Sequence, residues 1–99
     1  MKLLDAMKDC LPIPVYPTKG FIRYLKQENI KVKADQRLEI TDVQYMGDLG
    51  GILCSVKFPV KTEKDYVISL THLVPTANHP LRKDIITYQI NRVKNLAKQ

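Results

Sequence analysis

Two histidines, two cysteines and a surplus of six positive charges are the features of this chain whose chemistry could go beyond packing. His72 and His79 are seven residues apart with Pro75 between them. A protein metal site takes three or four ligands, and neither Cys10, Cys54 nor any acid stands at a recognisable ligand spacing from this pair, so no metal or other cofactor is expected. Catalysis by a nucleophile needs a base and a group that orients the base. No motif places a histidine beside Cys10, Cys54, Ser55 or Ser69, so the reading is of a non-catalytic protein. The alternative is a small enzyme using His72 or His79. The plain roles for these imidazoles are a core or edge histidine at 72 and a helix cap at 79. If the pair binds anything, Arg82 and Tyr88 belong with it, because the first and third turns of the last helix would pass the end of the strand bearing His72. Arg92 completes that candidate set.

Cations cluster towards the helical parts. Five lie within 19–33 and five within 81–99, each stretch holding one acid, whereas 34–80 holds four cations and six acids. A merged patch of Lys19, Arg23, Lys26, Arg92, Lys94 and Lys98 would attract nucleic acid or another polyanion. Only four of the sixteen cations are arginines, and there is no helix-turn-helix spacing or RNA-binding aromatic signature. Solvated lysine faces are therefore the preferred account. The loop 47–51, Gly-Asp-Leu-Gly-Gly, lacks phosphate-cradle spacings and joins two strands, so its glycines are expected to serve positive φ angles.

These residues must be held by one domain spanning 1–99, with a composition typical of globular chains. The first ten residues carry Asp5 and Asp9 where a signal peptide would be apolar. The longest uncharged run, Tyr66–Leu81, contains both histidines and two prolines and is unsuited to cross a bilayer. Two thiols without a leader point to a reducing compartment, so a cytoplasmic location is expected, with no membrane partner.

Residues 1–17 open with helical spacing at Leu3, Leu4, Met7 and Leu11. They continue into Pro12-Ile-Pro14-Val-Tyr-Pro17, read as a stiff, polyproline-like N-terminal arm laid over the core. Thr18 can cap a helix running to about Glu28, with Phe21, Ile22 and Leu25 on one face and Asn29 closing it. Ile30–Lys33 is at most a short edge strand.

Three period-two runs follow, and their short links force antiparallel neighbours. The fold expected is α+β: a three-stranded antiparallel β-meander flanked by the N-terminal helix and a long C-terminal helix. In the first run Leu38 and Ile40 have the opposite parity to Val43 and Tyr45, which predicts a β-bulge near Thr41-Asp42. In the second, Ile52, Cys54, Val56, Phe58 and Val60 share a face. The third, Tyr66–Val74, is apolar on both faces, and is expected to be covered on both sides as the central strand of a larger or dimeric sheet. The last helix, with Pro80 in its first turn and Asn78 or His79 as cap, is expected to dock through Ile86, Ile90, Val93 and Ala97, with Ile85 and Leu96 alongside and Lys83, Thr87, Asn91, Lys94 and Lys98 in water.

Segments 47–52 (Gly-Asp-Leu-Gly-Gly-Ile), 68–73 (Ile-Ser-Leu-Thr-His-Leu) and 79–81 (His-Pro-Leu), followed by Tyr88 and Arg92, resemble parts of small cyanobacterial proteins of unknown function. The resemblance covers the C-terminal half. It implies a bacterial cytosolic context and transfers no functional residue. The sequence thus points to a small protein-interaction module, its partner a second copy or another protein, with homodimerisation expected because a core this small gains from association.

Overall fold

The computed structural model describes residues 2–58 and 66–97. In chain order the elements are α1 (Lys2–Cys10), β1 (Ile13–Pro17), α2 (Lys19–Gln27), β2 (Leu38–Tyr45), the single turn α3 (Gly47–Gly50), β3 (Ile52–Lys57), β4 (Tyr66–Ser69), a 3-10 turn (Leu70–His72), β5 (Leu73–Pro75) and α4 (Arg82–Ala97). The five strands form one antiparallel sheet in the order β4-β3-β2-β1-β5. The α+β class and the meander β2-β3-β4 agree with the sequence reading, and two further strands join the sheet.

The bulge follows from parity. The β2–β3 register shifts between Ile40 and Asp42, so Leu38 and Ile40 before it and Val43 after it all enter the core. In β3, Ile52, Cys54 and Val56 are buried with Phe58 just beyond, whereas Val60 and the 61–65 link lie outside the described residues.

The proline-rich arm is corrected by the structure: residues 13–17 are a strand between β2 and β5. Prolines are costly inside a sheet because they remove ladder donors. Here they fall where the ladders need none. The Pro14 carbonyl accepts from Thr76 on the β5 side, so its ring nitrogen faces the same side, past the end of β5. By alternation Pro17 faces β2, beyond the last pair Val15–Leu38. Ile13, Val15 and Pro17 meanwhile point into the core. Ile30–Lys33 forms no strand, because β1 already occupies the place beside β2; Val32 is buried from irregular chain.

The third run is corrected as well. It is split: β4 lies on one edge of the sheet and β5 on the other, joined only by the 3-10 turn. In a flat sheet those edges would be about 19 Å apart at ~4.8 Å per strand, while four residue steps of fully extended chain reach only about 13 Å. The sheet is therefore curled towards a half-closed barrel. Ser69 caps the turn, its Oγ accepting from the Thr71 amide at 3.4 Å. The turn also changes the phase of the pattern, so Leu70 and Leu73 both enter the core although their parities differ.

Helices close the curl. Met7 of α1, Phe21 and Leu25 of α2 and Ile85 of α4 are fully buried with Leu70 and Leu73 in one core. Helix α2 begins at the Thr18 cap, whose Oγ1 accepts from the Phe21 amide at 3.3 Å, and ends where Asn29 takes φ 64°. Helix α4 is capped by His79, whose Nδ1 accepts from the Leu81 amide at 3.0 Å. Its expected docking stripe is used only at the margin, through Ile85. Leu81, Ile85, Tyr88, Gln89 and Arg92 face the body, and Ile90, Val93 and Leu96 remain exposed. Lys83, Thr87, Asn91 and Lys94 are exposed as expected, and Lys98 lies outside the described residues.

Candidate functional site

A pocket of about 300 Å³ lies between α2 and the β4 edge, lined by Tyr24, Tyr66, Val67, Ile68, Ser69 and His72. The β3–β4 register pairs Tyr66 with Val56 and Ile68 with Cys54, which puts these two side chains towards the core. Val67 and Ser69 alternate to the other face. A pocket touching all four consecutive residues must run along the strand's outer edge. Val67 is 57% exposed there, and Tyr24 projects from α2 away from the buried Phe21 and Leu25.

An aromatic chain sets the ends of this pocket. Tyr66 meets Phe58 edge-on with centroids 5.3 Å apart, Phe58 lies 6.2 Å from Phe21, and Phe21 lies 6.4 Å from the His72 ring. These separations suit tilted and edge-to-face contact. Phe21 and Phe58 are buried, so they form a fixed base from which Tyr66 and the exposed His72 rise at opposite ends.

The lining carries two phenols, a hydroxyl and an imidazole, and no carboxylate or amine. Ser69 Oγ is engaged with Thr71 Oγ1 at 3.0 Å, and among the described residues no hydrogen bond joins His72 to a hydroxyl or an acid. Such a surface can hold a ligand by ring contact and neutral hydrogen bonds.

The remaining candidate residues take other positions. His79 caps α4, as described above. Arg82 Nη1 donates to the Pro75 carbonyl at 2.8 Å, and the Tyr88 hydroxyl accepts from the Ile52 amide at 2.8 Å. The Arg92 guanidinium donates to the carbonyls of Asp48 and Leu49. Arg82, Tyr88 and Arg92 are thus spent on backbone groups that fasten α4 to β5 and to the α3 turn. A Cβ at Gly51, which has φ 65°, would stand 2.5 Å from the Tyr88 oxygen, so this glycine is required for the helix to approach. Gly47, at φ 77°, also meets the sequence expectation, whereas Gly50 does not take a positive φ.

Lys19, Arg23 and Lys26 are exposed on α2, which packs on β1, and Lys94 is exposed on α4, which packs on β5 and the 3-10 turn. Among the described residues no three His, Cys, Asp or Glu side chains gather to hold a metal ion, and no helix is long and apolar enough to cross a membrane. Cys54 is buried, and desolvation pushes its thiol up to about 12.

Two participants were missed in the sequence. Tyr24 lies off the apolar face of its helix, and that displacement was the available signal. Gln89 gave none: its Nε2 donates to the carbonyls of Leu70 at 2.8 Å and Leu73 at 2.6 Å, across a turn whose position only the fold reveals. Comparison with known proteins finds no matching family model, no matching curated protein and no matching solved structure.

Proposed function

We propose that the protein is a non-catalytic protein-interaction module that also self-associates, and that its recognition surface is the β4 edge with the adjoining Tyr24–Tyr66–His72 pocket. The reading rests on the pocket's course along four consecutive residues of an edge strand. An added extended segment would find main-chain groups to pair with and an aromatic pocket for one of its side chains, which is the logic of strand addition. Edge strands that must stay unpaired usually carry charge, proline or a bulge. Tyr66–Ser69 carries none of these. The ligand fitting this lining is an extended peptide presenting an apolar or aromatic side chain, held without ion pairs.

Selection from a displayed random-peptide library on the intact protein tests the reading. Recovered peptides are expected to lose at least about tenfold in affinity for Tyr24→Ala and for Val67→Asp, since buried aromatic anchors dominate small interfaces. Both positions are exposed, so thermal melts should be unchanged. Failure to recover any peptide, or peptides indifferent to both substitutions, overturns the assignment.

A further inference from the structure

The face that α4 turns away from its own domain has a definite pattern. The exposed Ile90 and Val93 follow the half-buried Ile86 at intervals of four and three residues. That alternation is the seam of a helix pair, in which each apolar side chain enters a gap on a facing helix. The body of the protein uses the adjacent face instead, through Ile85, Tyr88, Gln89 and Arg92. Val93 is left 59% exposed, and Ile90 and Leu96 are exposed beside it.

We infer that a second copy of this chain covers that face, α4 packing antiparallel against α4. The inference rests on the self-association proposed above and names its surface. Charge selects this occupant. The positions flanking the seam are Thr87, Gln89, Lys94 and Leu96, so only one of the four is charged. An antiparallel pair with Ile90 of each helix against Val93 of the other sets Lys94 beside Thr87 and Gln89 beside Leu96. No like charges meet across the seam, although the chain as a whole carries +6. The opposed direction also brings the positive end of one helix dipole to the negative end of the other.

Area decides how strong the association is. Residues 86–97 make about 18 Å of helix, and half the surface of such a cylinder is roughly 300 Å². A stable dimer buries about 800 Å² on each partner. The helix alone falls short. The α3 turn extends the surface, because Arg92 fixes the Asp48 and Leu49 carbonyls beside the stretch of α4 that carries Leu96. Leu49 is 84% exposed, and Met46 and Tyr45 next to it are exposed too. The surface is small even with these side chains, so the dimer is a reversible, concentration-dependent one.

Sedimentation equilibrium of the intact protein over a wide concentration range provides the test. The native chain should show a monomer–dimer equilibrium whose dissociation constant rises roughly 100-fold in Ile90→Glu/Val93→Glu and about tenfold in Leu49→Ser, while Val67→Asp leaves it unchanged. All three sites are exposed, and melting curves taken at concentrations where the native chain is monomeric should be unchanged in the variants. A dimer broken by Val67→Asp and indifferent to Ile90→Glu/Val93→Glu would place the contact at the β4 edge, overturning this inference and keeping self-association. A native chain monomeric throughout would overturn both. Capture of that monomer by phosphatidylserine-containing vesicles, lost in the double variant, would assign the face to a membrane and likewise overturn the inference.

Discussion

The two edges of the sheet are treated in opposite ways. At β5 the strand is three residues long and ends in Pro75, and α4 lies over it. Gln89 takes the Leu70 and Leu73 carbonyls and Arg82 takes that of Pro75. At β4 no side chain of the described residues caps the backbone, and the strand's outer side adjoins a pocket. Sealing an edge requires a covering element with polar side chains of the right reach, and α4 supplies these on one edge only. The contrast separates an edge sealed by α4 from one that no described side chain caps, which is the edge proposed above for recognition.

The seal can be broken at its root. Gly51→Ala should cost about 3 kcal/mol, combining the strain of a positive φ with displacement of the Tyr88 hydroxyl from the Ile52 amide. Urea denaturation measures it, and a loss under ~1 kcal/mol would mean that α4 is not held through this turn. Removing the staple itself, Gln89→Leu, should cost about 2 kcal/mol by leaving two carbonyls without a partner. Amide exchange should then quicken in β5 and the 3-10 turn while β4 keeps its rates; equal acceleration at both edges would erase the distinction drawn between them.

The third test reads the open edge from beneath. Cys54 lies opposite Ile68 of β4, and burial pushes its thiol from 9.0 up to about 12. The folded state therefore holds this proton longer than the unfolded chain does. The associated stability is complete below about pH 9 and is lost at roughly 1.4 kcal/mol per pH unit as pH rises towards 12. Denaturation at a series of alkaline pH values should show that slope as the difference between the native chain and Cys54→Ala. Parallel profiles would mean that the thiol is already solvated through the β4 edge.

Much of the local structure was legible because it depends on neighbours in sequence. The Thr18 cap, the Asn29 stop and the His79 cap each need only a short polar side chain or a tolerated backbone angle beside an apolar run. The bulge was legible because a parity change at Thr41-Asp42 leaves no other way to bury Ile40 and Val43 together. Strand β1 was not, because proline argues against a strand unless its missing donor faces an unpaired position, which depends on where β2 and β5 end. The split between β4 and β5 was hidden because a 3-10 turn leaves the apolar alternation looking continuous. Of the candidate site, His72 was legible as a residue, but not its companions: Tyr66, joined to it by way of Phe58 and Phe21, and Tyr24, which lines the same pocket from α2. On α4 the stripe itself was legible; which face the domain would use was not.

By itself, then, the sequence determined the limits of α2, the parity of β2 and β3, the bulge and the identity of the charged and titratable residues, since these follow from propensity and spacing over a few positions. The tertiary structure alone decided the curl, which edge is sealed, and which face of α4 is left over. Those outcomes depend on where distant backbone groups come within hydrogen-bonding reach: Gln89 of Leu73, Tyr88 of Ile52 and Arg92 of Leu49. Contacts between residues 16 to 43 positions apart leave no periodic trace in the chain.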